Sequence, residues 1–390
     1  MPDLRFGPLT GLNNITAIVN GVEVGAAKVG ALSVADDVLI DRDGWPATRP
    51  GLIEHIADAH SIWASQSGRT FAVLAGQVIE LQGSTYTAVH PLPTDERVEY
   101  CDTPSGVLVV QGAYIGRVGA GRIGVSDADQ PVCTPASVGG LCAGTYHVGV
   151  SMVSAAGEEG GLSPLSRVDV AANGGITISV TWPSDAASAI VYRTAHNGDV
   201  LHRCATIPSG FGAYLIGAGA ITALPQTHHL KRMPGGRLPR WWRGRLLVAR
   251  GDAVWHSHPY SAHLHDPRSS WLRLPGYVTM IEPVEGGIWL ASASGVRFAR
   301  GTDPSDMQIV SVAADPPPAG ASALVNGDLF DPDLQLSGQH CAIWWGASGF
   351  VLGTPDGRAI ALNQRTFRTD VRYSAGTLVV HGRRVTAFLR

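Results

Sequence analysis

The stretch "RTFAVLAGQVIEL", residues 69–81, decides the fold. Two aliphatic runs, 69–74 and 77–81, are separated only by Ala75-Gly76. Apolar runs joined by so short a break write a β-hairpin. Working outward, "SIWASQSGRTFAVLAGQVIELQGSTYTAV" (61–89) reads as four short strands, broken at 66–68, 75–76 and 82–84. Residues 97–127 repeat the scheme, with breaks at 103–106, 111–112 and 119–121. It returns in 240–260, 278–312 and 341–367, and stops after two strands in "GTLVVHGRRVTAFLR" (376–390).

A four-stranded antiparallel unit recurring about every 40 residues is the signature of a β-propeller blade. One blade cannot bury both faces, so it needs neighbours. The reading is all-β, with about six blades and five or seven as the alternatives. "GALSVADDVLIDRD" (30–43) is available to close the ring by pairing with the C-terminal strands, which would leave no open sheet edge.

Residues 134–226 break the period. Apolar and polar residues alternate through Tyr146, Val148, Val150 and Met152, then through Ile176, Ile178 and Val180. Short alternating strands at this spacing suggest an inserted sandwich of fibronectin or immunoglobulin type. The chain then divides into a first propeller part (1–133) carrying the closing strand, the insertion (134–226) and a second propeller part (227–390).

Composition agrees. The 48 glycines and 25 prolines in 390 residues are spread evenly, as turns between many short strands require. Charged residues are 16% and the formal net charge is −3, so general electrostatic attraction to nucleic acid is not indicated. Nearly all basic residues are Arg; Lys28 and Lys231 are the lysines. Cys101, Cys133, Cys142, Cys204 and Cys341 are odd in number and lack C-x-x-C spacing, which fits free thiols in a reducing compartment. The N-terminus has no basic region leading into an apolar one, and no run reaches the length of a membrane helix. Assembly in a cytoplasm is expected.

Several motifs have a chemical and a plainer reading. His256, His258, His263, His265 and Asp266 lie within "HSHPYSAHLHD". Zinc or nickel binding is one reading. A surface loop leaving a blade strand is the other, and no metal or cofactor is expected. "GAGRIG" (Gly119, Gly121, Gly124) matches the dinucleotide string, but residues 125–131, "VSDADQP", will not form the helix that string must open. Arg250-Gly251-Asp252, 303–306 and 354–357 read as turns. Glu158-Glu159 reads as a solvated hairpin tip, since adjacent strand residues face opposite sides and suit glycoside hydrolysis poorly. No catalytic set is expected.

The tryptophan doublets Trp241-Trp242 and Trp344-Trp345 flank blade strands. One ring of each pair packs between blades, and the outward one, together with Trp271, is the candidate subunit interface.

The order of "FGPLTGLNN", "VGALSVADDVLIDRDGWPATRPGL", the first hairpins, "YHVGVSMVSAAGEEGGLSPLSRVDV", "AIVYRTAHNGDVLHRCATI", "LPRWWRGRLLVARGDAVWHSHPYSAHLHD" and "GGIWLASASGVRFARGTDPSDMQIVSV" resembles bacteriophage virion structural proteins. In these a propeller is interrupted by a fibronectin-like module, and tail proteins that form the nozzle of short-tailed phages are similar. The likeness spans residues 6–367. It implies a non-enzymatic tail component located in the virion. Its partners would be further copies of itself (a hexameric ring being favoured), other tail or adaptor proteins, and DNA passing without sequence-specific binding. The chain is shorter than those proteins, which leaves a tail-tip or side component contacting the host surface or its glycans as the alternative.

Overall fold

The structure, a computed structural model, describes residues 9–12, 30–32, 38–40, 46–48, 56–83, 85–330, 334–347, 349–362, 373–381 and 384–390. The fold is all-β, with propeller blades interrupted by a β-sandwich. Two compact units are distinguished. The first comprises His60–Arg250 with Val254–Leu272, and the second Met1–Ala59, Gly251–Ala253 and Arg273–Arg390.

In the first unit, the opening hairpin forms as read: Thr70–Leu74 pairs antiparallel with Gln77–Gln82, and Leu74 lies opposite Gln77. Ala75 and Gly76 both adopt left-handed φ, 48° and 72°, as a tight two-residue hairpin turn requires. His60–Ala64 and Thr85–Pro91 complete the first four-stranded blade. The second is Glu99–Thr103, Gly106–Gln111, Tyr114–Arg117 and Gly121–Arg122. Phe71, Val73, Val78, Tyr100, Val107 and Val109 form one core between these two. The third blade is Arg237–Trp242, Arg245–Arg250, Ala253–His256 and Trp271–Arg273, with an excursion between its last two strands. Within that excursion Leu264–His265 pairs with Lys231–Arg232.

The insertion is a seven-stranded sandwich. Val132–Leu141, Gly174–Ser179 and Tyr214–Ile216 form one sheet. Ser166–Val170, Gly144–Val153, Ser188–Thr194 and Leu201–Pro208 form the other, in that order. The alternation read from the sequence is the core: Tyr146, Val148, Val150 and Met152, with Val191 and Ile207 of their own sheet, pack with Ile176 and Ile178 of the other.

The second unit holds two further blades. Val278–Val284, Gly287–Ser292, Gly295–Arg300 and Gln308–Val312 form the fourth, and Ser322–Asn326, His340–Gly346, Gly349–Gly353 and Ala359–Ala361 the fifth. Trp289 and Trp344 are both fully buried between them, ring centroids 5.3 Å apart. The final hairpin, Gly376–His381 with Arg384–Leu389, packs Leu378, Val385 and Ala387 against the fifth blade. Among the described residues there are thus five four-stranded blades, with the C-terminal hairpin standing where the sixth repeat was read from the sequence.

Within the 30–43 segment, Gly30–Leu32 pairs with Leu9–Leu12 and Val38–Ile40 with Pro46–Thr48. The expected pairing with the C-terminal strands is not among those of the described residues. No helix among the described residues is long and apolar enough to cross a membrane.

Candidate functional site

The polar chemistry of the first unit converges where the sandwich meets the blades. The chain leaving Gly144–Val153 turns at Gly157, whose φ is +82°, and folds back on itself; Ser154 N–H donates to the Glu158 carbonyl at 2.9 Å. This return presents Glu158 and Glu159 in different directions. Glu158 reaches the second blade, accepting from Gly124 N–H at 2.5 Å with Arg117 Nη2 at 3.9 Å. Glu159 turns into the sandwich and accepts from Ser151 Oγ (2.5 Å), Tyr192 Oη (2.9 Å) and Thr227 Oγ1 (3.3 Å). Its carbonyl accepts from His263 Nε2, 3.1 Å away in the third-blade excursion.

The backbones approach closely here because glycine permits it. A Cβ on Gly161 would lie 2.0 Å from the Leu230 carbonyl oxygen, and one on Gly124 would lie 2.8 Å from His263 Cβ. A second carboxylate repeats the arrangement nearby. Asp185, in the sandwich, accepts from Ser126 N–H (3.1 Å) and Oγ (3.0 Å), with Arg232 Nη1 at 3.6 Å and Arg122 Nη1 at 3.7 Å. Burial pushes the Arg232 guanidinium down from its ordinary value, Arg122 adds to that, and Asp185 and Asp127 oppose it. Half-buried hydrogen bonds to charged groups each contribute about 1.5–3 kcal/mol. The joint is therefore a strong lock.

Carboxylates also stitch blade to blade. Asp102 of the second blade accepts from Ser65 Oγ (2.6 Å) and Gln66 N–H (2.8 Å) of the first. Glu99 accepts from Leu238 N–H of the third. In the second unit, Ser322 Oγ donates to the fully buried Glu282 at 2.7 Å, and Glu285 accepts from His340 N–H at 3.0 Å.

Glu158-Glu159 is therefore not the solvated tip expected from sequence. Both residues are half-buried because Gly160-Gly161 lets the return settle against 227–230. The glycine pair beside the acids was the available signal. Ser151, Tyr192 and Thr227 carried none, and His263, noticed only as one of a histidine run, reaches the joint from 104 residues along the chain.

The histidine run disperses. His256 is buried, His258 is exposed, and His263 points to the joint. His265 is buried edge-on against Trp255, with Nδ1 3.1 Å from the Lys231 carbonyl. Burial lowers the pKa of both His263 and His265. Asp266 is held at about 2, chiefly by its two-pronged bond to Arg268. Among the described residues no three His, Cys, Asp or Glu side chains converge as metal ligands.

Of the tryptophans named as interface candidates, Trp242 and Trp344 are interior, and burial removes them from any surface. Trp241 is half-buried against Leu108, Leu246 and Val248. Trp345 is half-buried, edge-on to Phe350 at 5.0 Å. Trp271 is 40% exposed. The doublets do alternate as read, but the outward ring of each also finds cover.

Gly119, Gly121 and Gly124 all have positive φ and no helix follows them. Asp252 pairs with Arg273 at 2.7 Å, Asp303 caps a 3₁₀ turn, and Asp356 pairs with Arg358 at 2.8 Å. The five cysteines are free, and burial pushes the Cys101 thiol to about 12. In the second unit, Glu285, Gln335, Gln339, Asp356 and Arg358, with Leu334, Leu336 and Pro355, border an open cleft of about 520 Å³ whose lining is more apolar than polar.

No protein-family model matches the chain, and no curated protein matches it. Among solved structures, the chain is similar to BBS1N in complex with ARL6DN, at 11% identity and TM-score 0.32 over 86% of this chain and 90% of that one. The extracellular domain of the putative one component system BT4673 from B. thetaiotaomicron is 12% identical, with TM-score 0.24 over 83% and 47%. Apo AztD from Citrobacter koseri is 11% identical, with TM-score 0.25 over 79% and 88%. Superpositions this loose carry no functional argument.

Proposed function

We propose that this protein is a non-enzymatic structural component of a bacteriophage tail, a nozzle or hub ring protein that contributes to tail assembly and to the channel through which DNA passes. The reading rests on the resemblance carried by residues 6–367. The observation that supports it best is the use made of the charged groups. Glu158, Glu159, Asp185, Asp102 and Glu99 are spent on joints between modules, where they fix the sandwich to the blades and blade to blade. Such joints suit a rigid assembly part. In this role the copies form a ring in the virion and contact adaptor or other tail proteins, and the formal charge of −3 suits DNA passing without being held.

A second reading, a receptor- or glycan-binding tail-tip or side component, is favoured by the cleft in the second unit. Gln335, Gln339 and Arg358 offer amide and guanidinium groups at its border, beside Leu334 and Pro355. Sugars are bound by such mixtures of polar and apolar lining. Imaging of tails labelled with an antibody to this chain tests the first reading: signal coaxial with the tail supports it, and signal confined to fibres or the distal tip favours the second.

A further inference from the structure

His60–Ala64, the first strand of the first blade, carries a β-bulge. His60 lies opposite Val73 and Trp63 opposite Phe71, so two residues, Ser61 and Ile62, stand across from Ala72 alone. Ser61 takes a left-handed φ of 52°, a backbone that serine rarely adopts and that only the surrounding structure can hold. Neighbouring strand residues ordinarily face opposite sides. Here the bulge turns His60 and Ser61 toward one another, and His60 Nδ1 lies 3.0 Å from Ser61 Oγ.

Two further segments complete the arrangement. Asp95, between the first and second blades, has Oδ1 3.4 Å from His60 Nε2, and the same oxygen accepts from Gly76 N–H at 2.6 Å in the hairpin turn. Val98 N–H donates to Ser61 Oγ at 3.1 Å. These partners assign the protons. A carboxylate only accepts, so the neutral imidazole carries its hydrogen on Nε2, facing Asp95. Nδ1 is then the acceptor, and the Ser61 hydroxyl donates to it. The Ser61 oxygen keeps a second lone pair beyond the one that Val98 uses. The His60 and Asp95 side chains are 34% and 58% exposed, so a small reagent can reach them.

We propose that Ser61 is a nucleophile activated by His60, with Asp95 as the positioning residue that holds the imidazole, and that it takes up the acyl group of a small carboxylic ester. A hydroxyl beside a base that a third group orients is the arrangement by which serine becomes reactive, whatever the fold. Ser61 Oγ attacks the ester carbonyl carbon while its proton passes to His60 Nδ1. The bond from that carbon to the alcohol oxygen then breaks, the alcohol leaves with the proton, and the acyl group stays on Ser61. The 3.4 Å contact to Asp95 is long, as such contacts commonly are before a substrate is bound. The inference goes beyond the structural role and does not depend on it, since one acyl group per chain is a modification rather than turnover.

The test uses the full chain and p-nitrophenyl acetate, with acetylated residues located by peptide mapping. One acetyl group at Ser61, appearing faster than at the exposed hydroxyls of Tyr260 and Tyr277 or at any other serine, supports the inference. His60→Gln keeps a polar side chain but no base, and should slow Ser61 acetylation about a hundredfold. Asp95→Asn, outside the strand, is the second variant: melting as wild type, it should slow the reaction as well, and Asp95→Glu should restore part of the rate. Ser61 acetylation that is equally fast in wild type, His60→Gln and Asp95→Asn overturns the inference. So does a Ser61 that reacts no faster than the other hydroxyls. Neither result touches the ring reading, which imaging decides separately.

Discussion

Tyr192 and Glu159 are 33 residues apart in sequence and meet through a 2.9 Å hydrogen bond from phenol to carboxylate. Burial raises the Tyr192 pKa, and the Glu159 charge raises it further, so the phenol stays protonated and keeps donating. Tyr192→Phe removes that donor and leaves Glu159 with Ser151 and Thr227. We expect a loss of about 1–2 kcal/mol, read by urea denaturation. Glu159→Ala should cost more, because three donors lose their acceptor together.

The joint should weaken in acid. His263 donates from Nε2 to the Glu159 carbonyl, with Arg117 and Glu158 as the charged groups facing it. Burial is the largest influence and lowers its pKa, Arg117 acts the same way, and Glu158 and the Glu159 carbonyl oppose them. A histidine with a depressed native pKa binds its proton more readily when unfolded. Its contribution is therefore fully present above the ordinary value of about 6.5 and is lost as pH falls from there through the native pKa. Melting temperatures between pH 7.5 and 5 should fall less steeply in His263→Gln than in wild type. Parallel slopes would remove His263 from the acid response.

Ala75 holds a left-handed φ of 48° at which alanine is strained and asparagine is comfortable. Ala75→Asn should raise stability by about 0.5–1 kcal/mol without altering the hairpin register. Thermal melts and amide exchange of residues 70–82 would check both parts.

Trp344→Ala empties space against Trp289 and should cost about 3–5 kcal/mol. Trp271→Ala, at an exposed site, should leave stability nearly unchanged. Differential scanning calorimetry separates the two, and equal losses would contradict the assignment of one tryptophan to the core and the other to the surface.

Much of the architecture was legible because it is written locally. The breaks at 75–76, 103–106 and 111–112 fall at the observed turns, since a tight turn has its own residue chemistry and needs no distant partner. Ser322–Asn326 does not read as a strand, because Pro316-Pro317-Pro318 precedes it and its edges are defined only by pairing with His340–Gly346. The joint was illegible for the same kind of reason. Glu159 takes its donors from 151, 192 and 227, and only the folded sandwich brings those together. The doublets alternate as read, Trp242 and Trp344 inward and Trp241 and Trp345 outward, but alternation alone does not say that Trp241 meets Leu108, Leu246 and Val248 or that Trp345 meets Phe350.

The most direct test of the central claim is negative-stain imaging of the purified chain and of virions, with mass and symmetry determined for the assembled state. A six-fold or twelve-fold ring coaxial with the tail is the predicted result. A chain that remains monomeric, or that decorates the tail as a peripheral trimer, would contradict it.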